Sequence, residues 1–180
     1  MNSSALTPLL GTGKYGSLVD PVDDIYLDWS FDGRELRVDN RNEPSETHLM
    51  IEVPAWQPLA RIAAPIALLT SAVTSSSGEA VLISCLGRAN TRTFGLPTAG
   101  LTTSNNLHVL MDGSRLLLAE NMEADRNDKL YLGPIPVDET IPVDWGLISS
   151  PQDPVIRAAA NWIRTRRPRW HDSHDKRPPA

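Results

Sequence analysis

The 180-residue chain contains a single cysteine, no excess of positive charge and no long apolar run. Cys85 cannot form a disulfide within the chain, so cysteine usage leaves the redox compartment open, and we expect it to be a small buried hydrophobic residue. The net charge of -5 and the pI near 5.3 give no reason to expect nucleic acid or an anionic membrane as a partner. No apolar run matches the span of a bilayer, and no basic-then-apolar leader follows Met1. We therefore expect a cytoplasmic protein if Met1 is the true start, with export left open.

The length and composition predict one domain. A chain of 180 residues with 41% hydrophobic content can bury one sizeable core but hardly two. We expect the domain to cover residues 1–166 and a polar, basic, disordered tail to cover residues 167–180. The His-Asp-Ser-His-Asp stretch at 171–175 has a metal-like composition, but it lies in this tail, so we expect neither a metal nor a cofactor.

The most informative segment is Thr-Ser-Ser-Ser-Gly-Glu at residues 74–79. The apolar run 66–69 precedes it, and the apolar residues of 79–83 have helical spacing. This pattern predicts a strand, a turn at Ser76 and a helix. The first amides of a helix are unpaired and partly positive. A serine at such a turn can therefore attack a carbonyl while nearby amides stabilise the oxyanion.

The same residues also have a purely structural interpretation. Ser76 and Glu79 have the spacing of a capping box, in which each side chain accepts a hydrogen bond from the other residue's backbone amide. Capping boxes are common and are mostly not catalytic. Taken alone, these six residues favour the cap over the nucleophile.

An ordered set of motifs favours a catalytic role for this segment instead. Between Leu6 and Trp162 the motifs are PIALLT (65–70), TSSSGE (74–79), GRANTRTFG (87–95), LPTAG (96–100), MDG (111–113) and GPIPVD (133–138). In this order they resemble the catalytic core of the tail-specific, or C-terminal processing, serine peptidases, in the branch of the tricorn core and the retinoid-binding-protein repeats. The resemblance implies an α/β fold with a Clp-protease-like or crotonase-like core, a twisted sheet and flanking helices. It also implies a peptide or protein substrate, and a homo-oligomer stays open.

The resemblance assigns roles to individual residues. It places the nucleophile at Ser76 and an oxyanion-binding amide at Ser77. Glu120, on the strand after the Asp-Gly turn, matches the glutamate that orients a base or the substrate amine in the tricorn branch. The glycine loop contributes the residues implied to bind the substrate: Gly95, Thr98 and Gly100.

The chain departs from the family at the general base. Leu101 stands where many members have a lysine. The histidine of the tricorn branch, and the Gly-Gly turn that supplies the second oxyanion amide, would precede Met1, so we expect this chain to lack the front of the core. A serine hydroxyl needs a base near neutral pH, and neither His48 nor His108 is favoured for that role. Two functions stay open: a weakly active peptidase that acts through an acyl-enzyme on Ser76, and an inactive homologue that binds a peptide or another ligand. An assembly role comes third.

The remaining patterns predict the surrounding elements. Strands at 25–29 and 35–38 flank Asp32-Gly33 and are expected to form a peripheral hairpin, and strands at 107–111 and 116–118 form a second hairpin. Residues 4–13 look helical until glycines break the pattern, and residues 49–53 look like a strand. Asp153 is predicted to cap a helix that begins at Pro154 and docks its apolar side on the core.

Overall fold

The computed structural model describes residues 3–43, 45, 47–53 and 64–166. A 3-10 turn (Ser3–Leu6) leads into α1 (Thr7–Leu10). The two longer helices are α2 (Ser77–Cys85) and α3 (Pro154–Arg166). The strands are β1 (Gly13–Asp20), β2 (Ile25–Phe31), β3 (Glu35–Asn40), β4 (Thr47–Glu52), β5 (Ile66–Thr70), β6 (Thr91–Gly95), β7 (Thr103–Val109), β8 (Arg115–Asp125), β9 (Leu130–Tyr131) and β10 (Glu139–Thr140). The predicted tail at 167–180 lies outside the described residues.

Two sheets organise the chain. The larger is antiparallel, in the order β4-β3-β2-β1-β8-β7, with β9 paired to β8. The smaller is parallel, in the order β10-β6-β5, and α2 connects β5 to β6. This mixed architecture of sheets and helices is compatible with the predicted α/β class.

The two longer helices pack into different clusters. Leu82 and Ile83 of α2 join the main core with Trp29 of the large sheet. Val155 and Ala159 of α3 form a second cluster on Phe94 of β6. Ile66 of β5 belongs to the main core as well, so the small parallel sheet packs against both helices, and residues 71–76 connect the carboxyl end of β5 to α2.

Most of the predicted elements are confirmed. The strand before the serine motif, the helix after it, both hairpins, β4 and the short N-terminal helix are all present. Cys85 is buried in the core, as expected. Asp153 caps α3 by accepting the amide of Val155 at 2.8 Å.

The prediction that the first hairpin is peripheral is wrong. β2 pairs with β1 inside the large sheet, and Trp29, Phe31 and Leu36 are at most 2% exposed in the main core. These apolar side chains need a covered surface, so the hairpin has to join the sheet.

β1 was not predicted from the sequence, because its glycines suggest a break. Gly16 lies inside the strand opposite Trp29. A Cβ atom there would lie 2.4 Å from the Trp29 ring, so the glycine makes room for the indole and does not end the strand.

Candidate functional site

Ser76 lies at the turn between β5 and α2, where the serine motif predicts it. β5 ends at Thr70 and α2 begins at Ser77. The Ser76 backbone has φ 51° and ψ -119°, a conformation that residues other than glycine rarely adopt. Ser76 is also exposed. In α/β-hydrolases the nucleophilic serine lies on a similarly sharp strand-to-helix turn, which presents its hydroxyl to the substrate.

The amides that follow Ser76 supply one potential oxyanion donor. The amides of Gly78 and Glu79 donate to the carbonyl oxygens of Ser75 and Ser76 at 2.9 and 2.8 Å. Within the described part of the chain, the Ser77 amide has no such acceptor, as expected at the first position of a helix. This amide lies at the positive end of α2 and can stabilise negative charge on a substrate oxygen.

A buried carboxylate joins this turn to the glycine loop. Glu79 is 0% exposed, and one of its oxygens accepts the Thr98 hydroxyl at 2.5 Å and the Gly100 amide at 2.7 Å. The other oxygen accepts the amides of Leu101 and Ser76 at 2.8 and 2.9 Å. The predicted capping box is confirmed. Four donors compensate the burial of the charge, and the carboxylate holds the glycine loop beside Ser76.

The glycines of the loop lie where larger residues do not fit. Gly95 has φ 117°, and a Cβ atom there would lie 2.1 Å from the Thr70 carbonyl oxygen. Gly100 has φ 88°, and its Cβ would lie 2.6 Å from Pro134. The Thr98 hydroxyl also accepts the Ile135 amide at 2.8 Å. These contacts shape the loop, while a direct contact of Gly95, Thr98 or Gly100 with a substrate stays a prediction.

A polar cavity of about 240 Å³ opens beside Ser76. It is lined by Ser76, Ser77 and Ala80 around the start of α2, by residues 103–105 of β7 and by Glu123 of β8. β7 is the last strand in the order of the large sheet. The cavity therefore lies between the candidate nucleophile and one end of that sheet.

Glu123 was not predicted from the sequence as a site residue. The residue is 4% exposed, and its Oε2 atom has no hydrogen-bond partner among the described residues. Burial, together with the charge of Glu79, raises the pKa of Glu123 to about 7. Asn121, Glu123 and Asp125 are buried polar residues at every second position of β8. Extending the predicted strand past residue 118 would have revealed this alternation.

Glu120 lies elsewhere on the same strand. Its carboxylate accepts the Asn106 side-chain amide at 2.6 Å and contacts the His108 ring. These two contacts hold the pKa of Glu120 below its usual range. Glu120 is not among the residues that line the cavity at Ser76. Its role as an orienting carboxylate stays a prediction.

A second cavity lies at the carboxyl end of β5, against α3. Its volume is also about 240 Å³, and most of its exposed lining is apolar. The lining includes Leu69, Val143 and Ile148, together with Ser71 and Thr74 of the segment that leads to Ser76. The connection between β5 and α2 therefore borders one polar and one apolar cavity.

Two other kinds of feature are absent from the described residues. None of their helices combines the length and the apolar character that crossing a membrane requires. No group of three or more His, Cys, Asp or Glu side chains in that part of the chain is arranged to hold a metal ion.

Comparison with known proteins gives one relative by sequence and several by structure. The nisin-resistance protein of Lactococcus lactis subsp. lactis is 37% identical over 68 residues, which cover 38% of this chain and 21% of that protein. A lipoprotein from Streptococcus agalactiae is 25% identical with a TM-score of 0.59, over 92% of this chain and 49% of that one. A candidate peptidase from Parabacteroides merdae is 13% identical with a TM-score of 0.53, over 89% of this chain and 46% of that one. No protein-family model matches the chain.

These similarities support a peptidase-like fold. The chain spans about half the length of the two solved structures and about a fifth of the sequence relative. At 13% identity, the likeness to the candidate peptidase concerns the fold alone.

Proposed function

We propose that this chain carries the core of a serine peptidase of the tail-specific type. In this proposal the Ser76 oxygen attacks the carbonyl carbon of a peptide bond, the amine leaves with a proton, and water then hydrolyses the acyl-enzyme. The observation that carries the proposal is the Ser76 backbone, held at φ 51° at the start of α2 beside a polar cavity. Such a conformation persists only where the surrounding structure enforces it, and it is concentrated at functional sites.

Two neighbours support this role for Ser76. In this proposal the Ser77 amide donates to the attacked carbonyl oxygen as negative charge develops on it. The Glu79 carboxylate keeps the turn and the glycine loop together through four hydrogen bonds. The order of the family motifs and the peptidase-like fold point in the same direction.

The cavity also suggests how a substrate would lie. The first residues of β7 line it, and β7 is the terminal strand in the sheet order. An extended peptide can pair with a terminal strand through backbone hydrogen bonds, while cavities accept its side chains. We therefore propose that an extended peptide enters along β7 and brings one of its carbonyl groups to Ser76.

A binding function is the second candidate, and Leu101 favours it. The side chain at this position has no amine, and it is 58% exposed while its amide bonds to Glu79. Without a base, a serine reacts orders of magnitude more slowly. In that case the capping box fixes the helix start, and the cavity binds a peptide without cleaving it.

Labelling with a fluorophosphonate distinguishes the two candidates, because the probe forms a covalent bond only with an activated serine. We expect labelling of one site per chain, at a slow rate, and its loss in Ser76→Ala. The matched control is Ser75→Ala, which removes the neighbouring hydroxyl and should keep the label. Absence of label, or label that survives in Ser76→Ala, contradicts the peptidase and leaves the binding function.

A further inference from the structure

Glu123 combines burial with an unsatisfied charge-bearing atom. Its side chain is 4% exposed, and Oε2 has no hydrogen-bond partner among the described residues. A buried carboxylate without a partner is costly, and each such group in a folded protein needs a physical explanation. Glu79 shows the contrast: it is equally buried, but four donors surround it.

The cavity beside Ser76, which Glu123 lines, offers an explanation for this buried carboxylate. Its lining is polar and includes three hydroxyl side chains besides Ser76: Ser77, Thr103 and Ser104. Glu123 is the charged residue of the lining. Glu79 of α2 is not a lining residue, but its negative charge adds to the cost of a charge on Glu123. A positively charged donor that enters the cavity would offset that cost by a hydrogen bond to the Glu123 carboxylate.

We propose that Glu123 is a specificity residue, which accepts a hydrogen bond from a positively charged nitrogen of the peptide that lies at Ser76. The ligand class is an extended peptide with a lysine or arginine side chain next to the bond presented to the serine. This inference rests on the proposed function for the location of the peptide. A charge-assisted hydrogen bond in a buried site is stronger than a neutral one, so the cavity discriminates against a neutral side chain of the same length.

Binding to the Ser76→Ala variant of the full chain tests the assignment without any cleavage. The probes are fluorescein-labelled heptapeptides of alanine and serine that carry one lysine, or norleucine in its place, at each internal position in turn. Affinity is measured by fluorescence anisotropy at pH 8.5. We expect the lysine peptide to bind about tenfold more tightly than its norleucine partner at one position, as a single charge-assisted hydrogen bond allows.

Adding Glu123→Gln should reduce that ratio to about one, whereas adding Glu139→Gln, which changes an exposed carboxylate outside the cavity, should preserve it. Equal binding of the two peptides at every position, no binding, or a ratio that survives in Glu123→Gln overturns the assignment. The comparison of the two peptides requires no change at Glu123, so it stands even if that variant folds poorly. Because nothing in the assay depends on a reactive serine, failure of the labelling experiment and failure of this one are separate results.

Discussion

The backbone amide of Ser76 donates to the Glu79 carboxylate at 2.9 Å, and the same carboxylate accepts three donors from the glycine loop. The candidate nucleophile and the loop beside it are thus held by one side chain that solvent does not reach. These four hydrogen bonds are directional, because each donor has to point at one of the two carboxylate oxygens. The position of Ser76 therefore depends on Glu79 as much as on the helix itself.

Replacing Glu79 by alanine should destabilise the protein and displace Ser76. Four donors lose their acceptor in a buried place, so we expect a loss of about 3–5 kcal/mol in the free energy of unfolding, measured by urea denaturation. The control is Glu139→Ala, since Glu139 is 43% exposed and pairs with Arg92 at 3.2 Å. That surface change should cost less than about 0.5 kcal/mol. Similar losses for the two variants would contradict the central role of Glu79.

Gly95→Ala should be much more costly than a glycine substitution in an open turn. The new Cβ would lie 2.1 Å from the Thr70 carbonyl oxygen at φ 117°, so we expect a loss of about 2–4 kcal/mol. Gly113 is the matched control because it has φ 82° but no atom of the described residues within 4 Å of its Cβ position. Gly113→Ala should lose only about 1 kcal/mol, from backbone strain. Equal losses in thermal or urea unfolding would mean that the contact with Thr70 is not the determining factor.

Glu123 should make the stability of the protein depend on pH. Its pKa is about 7 in the folded state, above the usual value for glutamate, so the folded protein retains a proton that the unfolded chain has already lost. At low pH both states are protonated and no effect is expected. Stability should fall as the pH rises from about 4 to 7, by about 1–3 kcal/mol, and the deficit should stay constant above that range.

The variant Glu123→Gln isolates this effect from the other titrating groups. It removes the buried charge and retains the shape of the side chain. We expect it to be more stable than the wild type at pH 8.5 and nearly equal to it at pH 4, as measured by urea denaturation at both values. A difference that does not change with pH would show that the Glu123 carboxyl titrates normally in the folded protein.

Cys85 should be unreactive in the folded protein. Burial raises the pKa of its thiol to about 11, and the side chain is 1% exposed. We expect no reaction with Ellman's reagent at pH 8 under native conditions and one equivalent of reaction in urea. Rapid reaction of the native protein would mean that α2 opens readily, which would also weaken the case for a rigid Ser76.

Much of the fold was predictable because its signals are local. The apolar run at 66–69, the helical spacing after it and the cap at Asp153 depend on neighbours within a few residues, and each of these elements formed. β1 was not predictable in the same way. Its glycines suggest a break until Trp29 of the adjacent strand is seen to occupy the space that a side chain would need.

The same distinction between local signals and distant contacts applies to the candidate site. The serine motif and its resemblance to a family identify Ser76, Ser77 and the glycine loop, because the residues of each motif are close in the sequence. Glu123 lies 47 positions after Ser76, a separation that no local pattern bridges. It reaches the cavity only because β8 lies between β1 and β7 in the sheet and packs against α2.

The sequence by itself determined that a serine stands at the start of a helix with a glutamate three residues later, since capping and hydrophobic spacing act over a single turn. Only the tertiary structure decided that this glutamate also holds the glycine loop and that Glu120 lies outside the cavity. It also decided that Glu123 is buried there, with no hydrogen-bond partner for Oε2 among the described residues. The physical reason is that burial and charge neutralisation depend on which distant segments pack together, and strand pairing across the whole chain determines that packing.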